Sequence, residues 1–170
     1  SIEKGTLVML EALRNVTKPM ILDIYGPIHD VKYWKHCKKV IKKLPKHIQV
    51  TYKGVIQGSE VPNLLSDYDF FVLLSEGENF GHAIIEALSA GCPVLISKKT
   101  PWKDLKSSYI GWDIETSEKE TITRALENGI VMGKNNYKQW SLKAREFADN
   151  VSRNKHTISQ SKSLFLNQIN

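Results

Sequence analysis

Cysteine is scarce in this chain. Its 170 residues include two, Cys37 and Cys92, far apart and outside any C-x-x-C pair. Neither a disulfide frame nor a structural zinc site is therefore expected, and a reduced, cytoplasmic setting is. Long hydrophobic runs are lacking too; the longest, around Phe70 to Leu74, is far too short to cross a bilayer. No secretory leader is legible, because Ser1-Ile-Glu-Lys-Gly runs straight into an amphipathic pattern. There is no internal repeat, no low-complexity tract, no internal linker and no metal-ligand cluster. The expectation is a single domain, 1–170, with an α/β core over about 1–115 and a helical part over 116–170. The net charge of +6 invites an anionic partner without naming one.

What is present reads as strands alternating with helices. Lys4 to Arg14 is predicted to be helical, with Leu7, Leu10 and Leu13 at helical spacing. Pro19 to Tyr25 is predicted as a strand that stops at the turn signal Gly26-Pro27. A helix follows from Asp30, its expected N-cap, to Leu44. His47 to Tyr52 is a strand closed by Gly54, and Ser59 is expected to cap a short helix through Leu65. Asp69 to Leu74 is a strand, Phe80 to Ala90 a helix, Pro93 to Ile96 a strand and Tyr109 to Ile114 a short final strand. Helices are expected over Thr116 to Met132, Asn135 to Asn150 and about His156 to Ile169. Alternation of this kind implies a Rossmann-like, doubly wound parallel sheet with flanking helices. Almost purely apolar strands such as Phe70-Phe71-Val72-Leu73-Leu74 suit burial on both faces.

Residues 75 to 97 carry the chemistry. An apolar run leads into an acidic, glycine-containing turn, then a helix, a glycine stop and a second apolar run. Glu78 falls at a strand's carboxyl end and Glu86 eight residues later, on the helix. Ligands of open α/β sheets bind outside the carboxyl ends of the strands. A helix N-terminus there offers free N–H groups and a positive dipole end to an anion. Two carboxylates beside an anion site suit a ligand bearing both phosphate and hydroxyl groups.

In that context Glu78-Asn-Phe-Gly-His-Ala-Ile-Ile-Glu86 resembles the E-x7-E element of retaining GT-B glycosyltransferases, the family 4 type (glycosyl transferases group 1). Ser75 before it and Ala87-Leu88-Ser89-Ala90-Gly91-Cys92-Pro93-Val94 after it extend the likeness. Gly26-Pro27, Gly54 with Val55, and Lys4-Gly5 fall where that family's donor-binding domain carries its other landmarks. A bare E-x7-E arises often by chance; set between two apolar strands with N-F-G and A-G-x-P-V, it is specific. The resemblance is specific over 75–97, looser over about 4–115, and rests on helix pattern beyond that.

The resemblance implies the C-terminal half of a GT-B fold, with a nucleotide diphosphate sugar as donor and a sugar transferred to a glycan or lipid-linked acceptor. Glu86 would accept hydrogen bonds from the ribose hydroxyls, since a carboxylate offers acceptors only. Backbone N–H groups around Asn79, Phe80 and Gly81 would hold the diphosphate. Glu78 would lie beside the transferred sugar, and Lys4 would pair with the diphosphate and assist the leaving group. Val55 and Ile56 would border the base, near Gly26. No metal and no other cofactor is expected. The family's acceptor-binding domain, its first strand here and the arginine that shares the lysine's role would all fall ahead of Ser1. This fragment alone is thus expected to be inactive and its sheet to show a gap, a rearrangement or strand exchange. Other enzymes of the GT-B plan, nucleotide-sugar epimerases and glycogen-type synthases, fit the N-F-G-x4-E spacing less well.

Two residues beside this element invite further roles: His29, next to the Gly-Pro turn, could approach the ligand, and His82 reads as a polar neighbour of the phosphate rather than an acid or base. The helix from Asp30 carries Lys32, Lys35, Lys38, Lys39, Lys42, Lys43 and Lys46 with no acid among them, opposite an apolar stripe of Trp34, Cys37, Val40, Ile41 and Leu44. A solvated outer face is the plain reading. The functional one is a peripheral contact with anionic lipid headgroups at the inner membrane face. A non-catalytic module using residues 30–46 for a polyanion such as RNA is the alternative to the enzyme. No helix-turn-helix, zinc finger or aromatic-studded strand platform supports nucleic acid binding.

Overall fold

The computed structural model describes the backbone of residues 2–166 and the side chains of residues 2–153. Five strands, all in parallel pairs, alternate with helices. They are β1 (Met20–Tyr25), β2 (Ile48–Gly54), β3 (Phe71–Leu73), β4 (Val94–Ser97) and β5 (Gly111–Ile114). The longer helices are α1 (Thr6–Ala12), α2 (Val31–Ile41), α3 (Val61–Leu65), α4 (His82–Ser89), α5 (Lys119–Ile130) and α6 (Lys134–Leu166). A 3-10 turn, Ile2–Lys4, precedes α1.

The strands form two sheets rather than one. β1 pairs with β2 from Met20 opposite Ile48 to Tyr25 opposite Gly54, with a register shift after Ile24. β3 pairs with β4, Phe71 opposite Val94, and β4 with β5, Val94 opposite Gly111. Of the gap, rearrangement or strand exchange expected, the structure shows a gap: β1 and β3 do not pair. The doubly wound plan survives it. Along β4, Leu95 packs into one core with α1 (Met9, Leu10), α2 (Cys37, Val40) and α5 (Ile122, Ala125). Val94 and Ile96 point the other way, into a second core with α4 (Ile84, Ala87, Leu88) and Ala144 and Ala148 of α6. A strand's period of two is what divides its side chains between two helical layers.

The first core also holds the two sheets together. Ile48 of β2 and Leu95 and Trp112 of the other sheet share it with Leu10 and Leu13. Side chains add a tie across the gap: the Tyr68 hydroxyl, just ahead of β3, donates to Asp23 Oδ2 of β1 at 2.7 Å.

Local chemistry explains the element ends. Asp30 caps α2, its Oδ1 accepting from the Tyr33 N–H at 2.9 Å. Ahead of α3 the expected Ser59 cap gives way to a 3-10 turn, Gly58–Glu60, capped by a reciprocal box in which Gln57 and Glu60 satisfy each other's backbone groups. α4 begins at His82, not Phe80, because Gly81 takes the N-cap position at φ 75°. The two helices expected after Asn135 are one helix, α6: residues 150–156 contain neither proline nor glycine, so nothing interrupts it. The end of the expected segment at Ile169 lies outside the described residues. No helix among the described residues is long and apolar enough to cross a membrane.

Candidate functional site

A cavity of about 990 Å³ lies between the two sheets, running along the unpaired edges of β1 (Ile21 to Tyr25) and β3 (Phe71 to Leu73) and on past their carboxyl ends. Five of the stretches that line it carry the residues predicted from the sequence. Lys4 and Gly5 come from the turn before α1, Gly26 from the end of β1, and Val55 and Ile56 from the loop after β2. Glu78, Asn79, Phe80 and Gly81 come from the loop after β3, and Glu86 from α4. All nine residues singled out in the sequence therefore line one cavity. His29 and His82 line it as well.

The lysine and the first glutamate touch. Lys4 Nζ is paired with Glu78 Oε1; Glu78 is mostly buried, its side chain 14% exposed, while Lys4 is about half exposed. Their approach is built by the backbone. Glu76 N–H donates to Glu3 O at 2.8 Å, stitching the turn before α1 to the end of β3. Gly5 sits there at φ 69°, and a Cβ on it would lie 2.1 Å from the Leu74 carbonyl oxygen, so no other residue fits.

The loop after β3 is held from both sides. The Ser75 side chain is fully buried; its hydroxyl donates to Gly77 O at 2.8 Å and accepts from Gly77 N–H. Trp102, in the loop after β4, donates its indole N–H to Phe80 O at 2.7 Å and packs edge-on against the Phe80 ring. Behind it, Phe147 of α6 packs on Trp102. The N-terminus of α4, with Gly81, His82 and Ala83, is thereby aimed into the cavity. An unpaired helix N-terminus of this kind is suited to anions. Glu86, a little over one turn further on, is exposed to the same space.

The opposite wall is a polar cluster that sequence reasoning missed. The Tyr68 hydroxyl bonds both Asp23 and the Tyr25 hydroxyl, the latter at 2.9 Å, and Lys53 stands 3.6 Å from Asp23. Burial, together with the hydrogen bonds to Tyr25 and Asp23, raises the Tyr68 pKa well above the usual phenol range, so this hydroxyl stays protonated. Trp102 was missed for the same reason as Tyr68: each acts through a contact between segments, and neither sits in a local motif. Around the cavity, Gly26 and Gly54 close the ends of β1 and β2 together, with Gly26 N–H donating to Gly54 O at 2.8 Å. Tyr52 secures the same corner through a 2.8 Å bond to Gly26 O. Val55 is 71% exposed. Among the described residues there is no group of three or more His, Cys, Asp or Glu side chains able to hold a metal ion.

Comparison with known proteins agrees with this architecture. The chain is 33% identical over 94 residues to the sulfoquinovosyl transferase SQD2 of Arabidopsis thaliana, a match over 55% of this chain and 18% of that protein. The chain thus spans less than a fifth of that curated relative. Among solved structures, Anabaena Alr3699/HepE in complex with UDP superposes with a TM-score of 0.76 at 20% identity, over 96% of this chain and 46% of that one. The C-terminal domain of the Francisella tularensis glycosyl transferase group 1 protein LpcC gives 0.72 at 23% identity, over 88% of this chain and 80% of that one. These likenesses establish the α/β fold of GT-B glycosyltransferases. The model of one family, described as glycosyl transferases group 1, matches residues 1–163. Read together with the cavity at the strand ends and the E-x7-E element that lines it, that match places the chain in the glycosyl transferases group 1 family.

Proposed function

We propose that this chain is the donor-binding domain of a retaining, hexosyltransferase-type glycosyltransferase that builds a polysaccharide or glycoconjugate. The observation that carries the reading is the convergence of Lys4, Glu78, the α4 N-terminus and Glu86 on one cavity. A cation and a helix N-terminus suit a diphosphate; a carboxylate one helical turn away suits a vicinal diol. On this reading Glu86 holds the ribose hydroxyls, the N–H groups of Asn79, Phe80 and Gly81 hold the diphosphate, and Val55 and Ile56 border the base beside Gly26. Lys4 stabilises the departing diphosphate, and Glu78 bonds the sugar or stabilises positive character at its anomeric carbon. The HepE structures, solved with UDP and with UDP-glucose, support a uridine nucleotide among the donors to try first. The acceptor is held by a partner domain, and this chain alone binds donor but transfers little.

The test is a calorimetry and thermal-shift panel of UDP, GDP, ADP and their sugars on the protein and on Glu86→Ala. Ligand at about 100 times its dissociation constant adds roughly 2.7 kcal/mol, several degrees for a domain of this size. One nucleotide is expected to stabilise the protein selectively, without effect of EDTA, and to lose its hold in Glu86→Ala. Undiminished affinity in that variant sinks the assignment.

A further inference from the structure

We infer that the lysine face of α2 is a docking surface for an anionic phospholipid bilayer. The charge of this protein is concentrated on α2 and the segment that follows it. Between Asp30 and Glu60 lie eight lysines and not one acidic residue, whereas the rest of the chain holds 16 basic against 18 acidic residues. One of the eight, Lys53, faces Asp23. The other seven, Lys32 through Lys46, make no ion pair among the described residues, and all are exposed. Helical spacing puts Lys32, Lys35, His36 and Lys39 on one face, where they line a shallow groove of about 250 Å³. Such a concentration of unneutralised charge, repelling itself, suits a polyanionic surface.

The chemistry favours lipid headgroups over nucleic acid. The cations of this block are lysines throughout, with no arginine. Lysine is a compact point charge, whereas bidentate and stacked recognition of bases calls for arginine. Base stacking also needs aromatic rings on the charged face. The rings of α2 are turned inward: the Tyr33 hydroxyl accepts from Leu7 N–H at 2.8 Å, and Trp34 packs on Tyr52 with ring centroids 5.0 Å apart. At the start of the same helix, Val31 is 73% exposed and Ile28 39%. Apolar side chains beside a lysine face are what an interfacial helix inserts between headgroups.

The placement has a consequence for the site. Ile28, His29 and Asp30 form part of the cavity wall. A bilayer against the first turns of α2 would lie at the cavity's rim. The inference rests on surface charge and does not depend on the nucleotide reading.

The experiment is co-sedimentation of the protein with vesicles of phosphatidylcholine alone and of equimolar phosphatidylcholine and phosphatidylglycerol, at low and moderate salt. A basic residue near an anionic surface contributes about fivefold in affinity, equivalent to about 1 kcal/mol. The variant Lys32→Gln/Lys35→Gln/Lys39→Gln should therefore bind the anionic vesicles on the order of a hundredfold more weakly. The matching triple Arg variant should retain binding, and both should melt at the parent temperature. Equal binding to neutral vesicles, no binding to anionic ones, or an unaffected triple Gln variant overturns the proposal. So does a short single-stranded RNA that binds more tightly than the vesicles and displaces the protein from them.

Discussion

The ammonium of Lys4 lies against the carboxylate of Glu78, joining two residues 74 apart in the chain at the inner edge of the cavity. The Glu76 to Glu3 backbone bond and the close approach of Gly5 to Leu74 bring them together. The pair puts opposite charges side by side, where a phosphate and a sugar would meet on the proposed reading.

Lys4→Ala tests that pair. Exposed and partly exposed ion pairs contribute about 0–1 kcal/mol to folding, so the melting temperature should hardly move. A hydrogen bond to a charged group contributes roughly 1.5–3 kcal/mol, so nucleotide affinity should fall about tenfold or more. Glu78→Gln removes the carboxylate that competes for Lys4, so nucleoside diphosphate should bind no more weakly, while the added affinity from the sugar is lost. Calorimetry with the free and the sugar-bearing nucleotide reads both.

Gly5→Ala should destabilise the fold. The substitution forces a Cβ to 2.1 Å from the Leu74 oxygen at a left-handed φ. Backbone strain of this kind costs roughly 1–3 kcal/mol before any shift of β3. Urea denaturation should show at least that loss; an unchanged midpoint would mean that the turn before α1 does not sit on the end of β3.

Both thiols should be silent in the native protein. Cys37 and Cys92 are buried. Burial, with the nearby Asp69 charge as a lesser cause, pushes the Cys92 pKa up to about 12, and burial raises that of Cys37. The reactive thiolate is therefore unpopulated at neutral pH. Ellman's reagent at neutral pH should detect neither until denaturant is added, and then both.

Glu127 gives the stability an acid-side dependence. Thr17 donates to its Oε1 twice, from the hydroxyl at 2.7 Å and from the backbone N–H at 2.9 Å. Those bonds lower the glutamate's pKa below its ordinary 4.5. The folded-state value is depressed, so the contribution is full above the ordinary glutamate range and is lost as pH falls through the lowered value. The melting temperature of Glu127→Gln should lie below the parent's at neutral pH and converge with it in acid.

Where the sequence succeeded, the signal was local. The β3–loop–α4–β4 unit was legible because alternation, turn and helix all fall within residues 69–97, each step set by neighbours along the chain. The Asp30 cap of α2 was legible for the same reason, since its partner Tyr33 is three residues away. Element ends moved where a local rule had a rival: Gly81 displaced the start of α4, and Gln57 with Glu60 took the capping role from Ser59. The break expected near residue 150 is absent because residues 150–156 hold neither proline nor glycine to stop the helix.

Local patterning and motif spacing, then, were enough to set the parallel α/β class, the acidic pair eight residues apart and the concentration of lysines on α2. Tertiary structure alone decided the rest. It left β1 and β3 unpaired, packed α1 against both sheets, and bonded Trp102 to Phe80 and Tyr68 to Asp23 across 22 and 45 residues. It also seated Lys4 against Glu78. The physical reason is that periodicity records which face of an element is buried, whereas a cavity is made by the ends of several elements. Which ends meet depends on packing between cores that no single stretch of the chain contains.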